Sequence, residues 1–235
     1  MIAVTSIAPK HTNEGIQLKA VQSWVGCGLD VYSFNHPSEI ESLKLIYPNV
    51  NFIPTNRTQK EIFGKHYVCI NAIFDWSIEN RCDICLINSD IELKIDKDRL
   101  NRIEKKIETS IVMANRVNYD GEIYSGQQYM QGIDAFFINH NHLTLFPQTS
   151  FCLGQCHFDY FIPYWAIGMG IETFFIKQDI IYHKNHAAQY NQDNWVKTGQ
   201  HLMWLLNLYQ FTNQVGKMST FVYNYIYNAS QRIEI

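Results

Sequence analysis

The sequence predicts an α/β fold, a mainly parallel sheet with helices on both faces, and three observations carry that prediction. Short apolar runs alternate with stretches of helical periodicity over the first ~95 residues. The run Ile84-Cys85-Leu86-Ile87 is apolar without alternation, as in a central strand covered on both faces. The chain has 235 residues, 46% of them hydrophobic and 14% aromatic, enough to bury a substantial core.

The elements follow in order. Residues 2–8 are expected to form the first strand. Residues 12–28 carry Leu18, Val21, Trp24 and Val25 as a helical stripe, with Thr12 or Asn13 placed to cap it and glycines at its end. A second strand is expected over 29–35. The next helix, over 37–47, opens at Pro37 and Ser38 and spaces Ile40, Leu43 and Ile46 helically. The third strand, 49–55, is bounded by Pro48 and Pro54. A polar loop over 56–65 and a helix over 66–80, with Ala72, Ile73 and Trp76, lead to the fourth strand at 83–90.

Beyond residue 95 the regularity weakens. An amphipathic surface helix is expected at 97–108, a strand at 110–119, a glycine-bearing polar loop at 119–132 and a strand at 133–140. A helix follows at 156–170, with Pro163 early enough for a first turn to tolerate, then one or two strands within 172–183. Segments 201–211 and 220–231 are helical and rich in aromatics. With no internal repeat or clear linker, the expectation is one domain over residues 1–200 and a helical C-terminal extension, 201–235, packed on it.

A net charge of -3 and the lack of a long basic block exclude a dedicated nucleic-acid surface. The first ten residues are too short and strand-like for a secretion signal, and no apolar run approaches a membrane span. A soluble, cytoplasmic protein is expected. Of the six cysteines, Cys82 and Cys85 form a C-x-x-C, and Cys152 and Cys156 lie four apart. A zinc site from these four competes with buried free thiols. Strand positions i and i+3 point to opposite faces, which favours the thiols.

The segment after the first strand, TSIAPKHTN, contains no G-x-G-x-x-G, and the chain has neither a Walker loop nor a G-x-S-x-G elbow. The strand ends remain, since open α/β sheets bind ligands beyond the carboxyl ends of their strands. At one of them Asn88, Ser89 and Asp90 interrupt a buried apolar run. Asn88 and Asp90 lie two apart in extended chain, so their side chains point to one side. Amide and carboxylate oxygens are hard ligands suited to Mg²⁺ or Mn²⁺, ions that neutralise a departing diphosphate.

This strand–helix order with a D-x-D-like triplet, together with GIDAFFI, HFDYFIPYWA, IIYHKNH and the later Trp195, resembles the GT-A nucleotide-sugar glycosyltransferases, in particular short enzymes of bacteria and large viruses. The resemblance covers roughly residues 2–200. It implies a GT-A-like, Rossmann-type α/β/α sandwich and transfer of a sugar from a nucleoside diphosphate, with a UDP-sugar as donor. The acceptor would be a hydroxyl on a glycan or other molecule, and the cofactor Mn²⁺ or Mg²⁺. One departure is plain: the first acidic position of the triplet is Asn88, which carries no charge.

Asp90 is therefore the expected metal or diphosphate anchor, with Ser89 beside it, while Asn88 either helps or holds a ribose or sugar hydroxyl. By resemblance Thr5, Ser6 and Ile7, continuing to Pro9, cradle the nucleotide base through backbone groups. Arg57 and Lys65 flank the loop before the fourth-strand helix, where cations meet a diphosphate. Asp75 is a further carboxylate nearby. Asp134 faces acceptor hydroxyls or the donor sugar, and Trp165 floors a sugar pocket. The same resemblance implies that Asp159 takes the acceptor proton if the reaction inverts. It also implies that His186, with His183 in the same H-x-x-H, completes the metal site.

Plain structural roles compete with each of these: turn caps for Asn88 and Asp90, an N-cap for Asp159, surface charge for Arg57 and Lys65, core packing for Trp165. Two rival functions also remain. A sugar nucleotidyltransferase needs a glycine-rich basic loop after the first strand, which SIAPKHTN lacks. A non-catalytic sugar- or nucleotide-binding module would explain Asn88 as a lost metal ligand. The aromatic C-terminal segments are expected to pack on the core or to form a homodimer contact.

Overall fold

A computed structural model describes residues 1–9, 14–121, 124, 126–186 and 191–235. The first half runs β1 (Ile2–Thr5), α1 (Glu14–Gly26), β2 (Val31–Asn35), α2 (Pro37–Ile46), β3 (Asn51–Pro54), the one-turn α3 (Lys60–Phe63), α4 (Ile70–Asn80), β4 (Ile84–Ile87), β5 (Ile91–Leu93) and α5 (Lys97–Lys106). The second half runs β6 (Ser110–Tyr119), β7 (Gly126–Ile138), the short α6 (His140–Leu143), α7 (Phe158–Gly168), β8 (Glu172–Ile176), β9 (Ile181–Lys184), α8 (Gln192–Leu205), α9 (Val215–Ala229) and β10 (Gln231–Ile233).

Helix ends follow local chemistry. Asp96 accepts from the Arg99 N–H to cap α5, whose last turn carries Lys105 and Lys106 against the helix dipole. Asn191 caps α8 through the Asn194 N–H, and α2 starts on Pro37, capped by the His36 ring. The cap expected at Thr12 or Asn13 lies outside the described residues.

The main path of the sheet is β10-β8-β6-β7-β4-β1-β2-β3, with β5 and β9 attached beside β6. Pairings are parallel except where β7 runs against β4 and β6, and β9 against β5. Successive strand residues supply two separate cores. Val4, Leu86 and Phe136 face α4, α7, α8 and α9, while Ala3, Cys85 and Phe137 face α1, α2 and α5. Each fully buried aliphatic or aromatic side chain contributes about 1.5–3 kcal/mol. The expected α/β/α sandwich with a mainly parallel sheet is the observed architecture.

Four expectations need correction. The glycine-bearing loop expected over 119–132 is strand from Gly126 onward, because its polar residues pair with β6 outside the core. β5 and β10, three residues each, are too short for a periodicity to show. The boundary expected at residue 200 falls inside α8, and β10 returns the C-terminal segment to the sheet beside β8. Pro163 lies inside α7, past its first turn, so it offers no N–H to the Asp159 carbonyl.

Candidate functional site

A cavity of about 780 Å³ opens where β1 and β4 end and where the polar parts of β6, β7 and β9 converge. That volume suits a ligand of nucleotide-sugar size. Its walls bring together Ser6, Ile7, Lys65, Asn88, Ser89, Asp90, Asp134, Asp159 and His186 of the sequence-predicted residues.

Asp90 is placed by its neighbours on β5. The Trp24 indole donates to the Ile91 carbonyl (2.8 Å) and Ser23 Oγ accepts from the Leu93 N–H (2.9 Å), so α1 pins β5. β5 pairs with β9 in the register Ile91↔His183, which sets His183 next to Asp90. His186 follows three residues later. Its Nε2 lies 3.1 Å from Asp90 Oδ2, and His183 Nε2 lies 3.6 Å from the same oxygen.

Asn118 orients the first of these imidazoles. Its Oδ1 accepts from Arg116 Nε (2.9 Å) and lies 3.2 Å from His183 Nδ1. Nδ1 of His183 thus faces an acceptor, while its Nε2 faces Asp90 and His186. One ligand atom from each of Asp90, His183 and His186 falls within 4.8 Å of the others. A carboxylate with two imidazoles suits Mn²⁺ better than Mg²⁺, which prefers oxygen throughout. Burial alone would raise the Asp90 carboxyl, but the hydrogen bonds and charge of the two histidines outweigh it and hold it well below the usual range.

Asn88 does not join that cluster through its amide nitrogen. Nδ2 donates to Asp134 Oδ1 (2.9 Å), and the buried Oδ1 has no partner among the described residues. Ser89 is tied to α1. The buried Gln17 amide accepts from Ser89 Oγ (2.7 Å) and brackets the Ala8 backbone from both sides at 3.0 Å. Gln17 thus ties the end of β1 to the triplet.

Asp134 is held at the other end of the site. Arg116 Nη1 donates to both its carboxylate oxygens at 3.0 Å, in a largely buried ion pair. Irregular pairing at Asn115 aims Arg116 here, and Asn115 Nδ2 caps the Met130 and Gly132 carbonyls (3.0 Å each). A Cβ at Gly132 would stand 2.8 Å from Asp134 Oδ2 and 2.7 Å from the Tyr129 ring, so a larger residue there would displace one of these side chains.

Asp159 lies in the first turn of α7 but is not its cap. That position is His157, at φ 73°, whose ring lies 2.9 Å from both Thr198 Oγ1 and Ser219 Oγ. Burial and then the Asp134 charge push the Asp159 carboxyl up to about 7, with Arg116 opposing. Burial lowers His157 to about 4.

Four predicted residues, Thr5, Arg57, Asp75 and Trp165, do not line the cavity. Thr5 is buried within the sheet. Arg57 faces outward in an exposed pair with Asp75 and a bond to Gln148. The Trp165 indole donates to the Leu145 carbonyl (3.0 Å) and packs on Phe161. Trp195 lines the cavity instead. Ile7 lines it, but its N–H goes to Ser33 Oγ and its carbonyl to Asn35 Nδ2, both at 2.9 Å, so its backbone is committed internally.

Cys82, Cys85, Cys152 and Cys156 form no metal cluster among the described residues. Cys152 instead faces Cys69, Sγ to Sγ 3.9 Å, and all six cysteines are free thiols. Arg116 and Asn118 had no part in the sequence-based site. Their signal was a polar run, NRVN, inside an otherwise apolar strand, the same feature that marked Asn88 and Asp90.

No family model matches the chain, and no curated protein matches it in sequence. Among solved structures, one similar in chain path is a protein from Bacillus anthracis described as a glucose-1-phosphate thymidylyltransferase, solved with sucrose. It is 8% identical, with a TM-score of 0.47 over 79% of this chain and 87% of that one. A likeness this distant decides nothing about chemistry.

Proposed function

We propose that this protein is a glycosyltransferase that moves a sugar from a nucleoside diphosphate, with UDP-sugars as the first donors to test, to a hydroxyl acceptor. The observation that carries the reading is the convergence in one cavity of the Asp90–His183–His186 cluster and Asp159. The first suits a divalent cation and the second a proton acceptor. The cation, held by Asp90, His183 and His186, would supply charge neutralisation for the departing diphosphate. Lys65, which lines the same cavity, adds positive charge where that group would lie.

Asp159 takes the acceptor's hydroxyl proton if the transfer inverts. Its raised pKa matches a base working near neutral pH. Arg116 holds Asp134 in place through both its carboxylate oxygens, and the Asp134 charge in turn raises the proton affinity of Asp159. Sugar nucleotidyl transfer is a second reading. It would consume a nucleoside triphosphate and release pyrophosphate, yet the segment after β1 lacks the glycine-rich basic loop that holds a triphosphate.

The test is incubation with Mn²⁺, a panel of nucleotide sugars and simple glycan acceptors, following nucleoside diphosphate release. Release that depends on Mn²⁺ is expected with at least one donor. Absence of release with every donor, alongside pyrophosphate release from a triphosphate and a sugar phosphate, would replace this reading with the second.

A further inference from the structure

Gln155 is nine-tenths buried, at 5% exposure, and lines the cavity four residues before Asp159. Among the described residues, neither its amide oxygen nor its amide nitrogen has a partner in hydrogen-bond geometry. The Tyr67 phenol interacts with this amide, which lowers the phenol's pKa, but burial is the larger cause and leaves it raised. A buried, unpaired donor and acceptor are costly unless something else completes them.

The local backbone fixes where this amide stands. The Gln155 N–H bonds the Cys152 carbonyl (3.2 Å), closing a turn through Gly154 at φ +79°. That turn rests on the Tyr67 ring, which a Cβ on Gly154 would meet at 3.7 Å. A second group without a partner among the described residues lines the same cavity: Asn88 Oδ1, a buried acceptor on an amide whose nitrogen is already spent on Asp134.

An amide presents a donor and an acceptor side by side. A phosphate offers acceptors alone and would leave the Gln155 oxygen unpaired. Hydroxyls are donors and acceptors at once, so two neighbouring sugar hydroxyls complete both amide atoms, and a third hydroxyl donates to Asn88 Oδ1. We infer that Gln155 is the residue that reads the hydroxyl pattern of the transferred sugar, in the stretch of wall leading from Tyr67 to Asp159. This deepens the proposed function and rests on it.

The substitution Gln155→Leu tests the assignment, with Gln155→Met as a second form should the branched side chain pack poorly. Removing an unpaired buried amide is expected to leave the melting temperature unchanged or higher, where loss of a structural hydrogen bond would lower it. Calorimetric titrations with Mn²⁺ present would compare UDP with UDP-glucose, UDP-galactose and UDP-N-acetylglucosamine. The best-bound nucleotide sugar should weaken about tenfold, with UDP itself within about twofold of wild type. Equal sugar-nucleotide affinity in wild type and variant would overturn the assignment alone. A parallel loss of UDP affinity would also overturn it, as a base contact. Failure of the wild type to bind UDP or any UDP-sugar would remove the proposed function, and this inference with it.

Discussion

Asp90 and Asp159 line one cavity, but their surroundings drive them in opposite directions. Asp90 sits between two imidazoles and is held ionised despite its burial. Asp159 is half-buried near a second carboxylate, Asp134, with Arg116 committed to that neighbour, and desolvation and the Asp134 charge raise its pKa to about 7. Two residues of one chemical type thus acquire two roles, a permanent anion and a group that exchanges protons near neutrality. A hydrogen-bonded network runs from His183 through Asn118 and Arg116 to Asp134, whose charge in turn reaches Asp159.

The comparison breaks first under substitution. If Asp159 is the base, Asp159→Asn should cut turnover by about 10²–10⁴ while UDP binding persists, in steady-state kinetics paired with calorimetry. Wild-type activity should rise with pH through about 7 as that carboxyl deprotonates. Asp90→Ala should lower Mn²⁺-dependent turnover by at least about 100-fold, beyond the usual effect of outer-shell metal partners, with the circular dichroism spectrum preserved.

Asn88→Asp sharpens the same contrast. It restores a D-x-D in sequence, but it sets a carboxylate where Asn88 Nδ2 now lies 2.9 Å from Asp134 Oδ1. Like charges there should lower the melting temperature by a few degrees, about 2–4 °C for each kcal/mol lost. Mn²⁺ affinity should change by no more than about twofold. A tenfold gain in Mn²⁺ affinity would return the metal site to the triplet.

A smaller effect concerns stability against pH. The folded state keeps the Asp159 proton between about pH 4 and 7, where the unfolded chain has released it, so this group makes stability fall as pH rises. His157 acts oppositely. Its ring stays neutral in the fold down to about pH 4, while the unfolded chain takes a proton below about 6.5, so stability falls as pH drops. The two slopes oppose each other in the wild type. Melting curves of Asp159→Asn should show a steeper acid loss below pH 6.5, and those of His157→Gln a loss as pH rises towards 7.

Much of the fold was legible because long apolar periodicities mark it. The Ile84–Ile87 strand, α5 and β6 lie where pattern alone put them. β5 was not, since three residues carry no period, and its register is what sets His183 beside Asp90. The first half of β7 is polar because it extends past the core, so its composition resembles a loop. Asp90 was legible as a polar residue at the end of an apolar strand, whereas Asp159 and His186 were reached through the resemblance. Arg116 and Gln155 were not singled out, because their meaning depends on a bulge and on a turn that only the folded chain displays.

The most direct measurement of the central claim is a calorimetric titration of UDP into the protein with and without Mn²⁺. Cooperation between the Asp90–His183–His186 cluster and a diphosphate predicts affinity at least about tenfold higher with the ion, and loss of that gain in Asp90→Ala. Equal affinity for UDP in both conditions would contradict it and leave a nucleotide-binding module without a working metal centre.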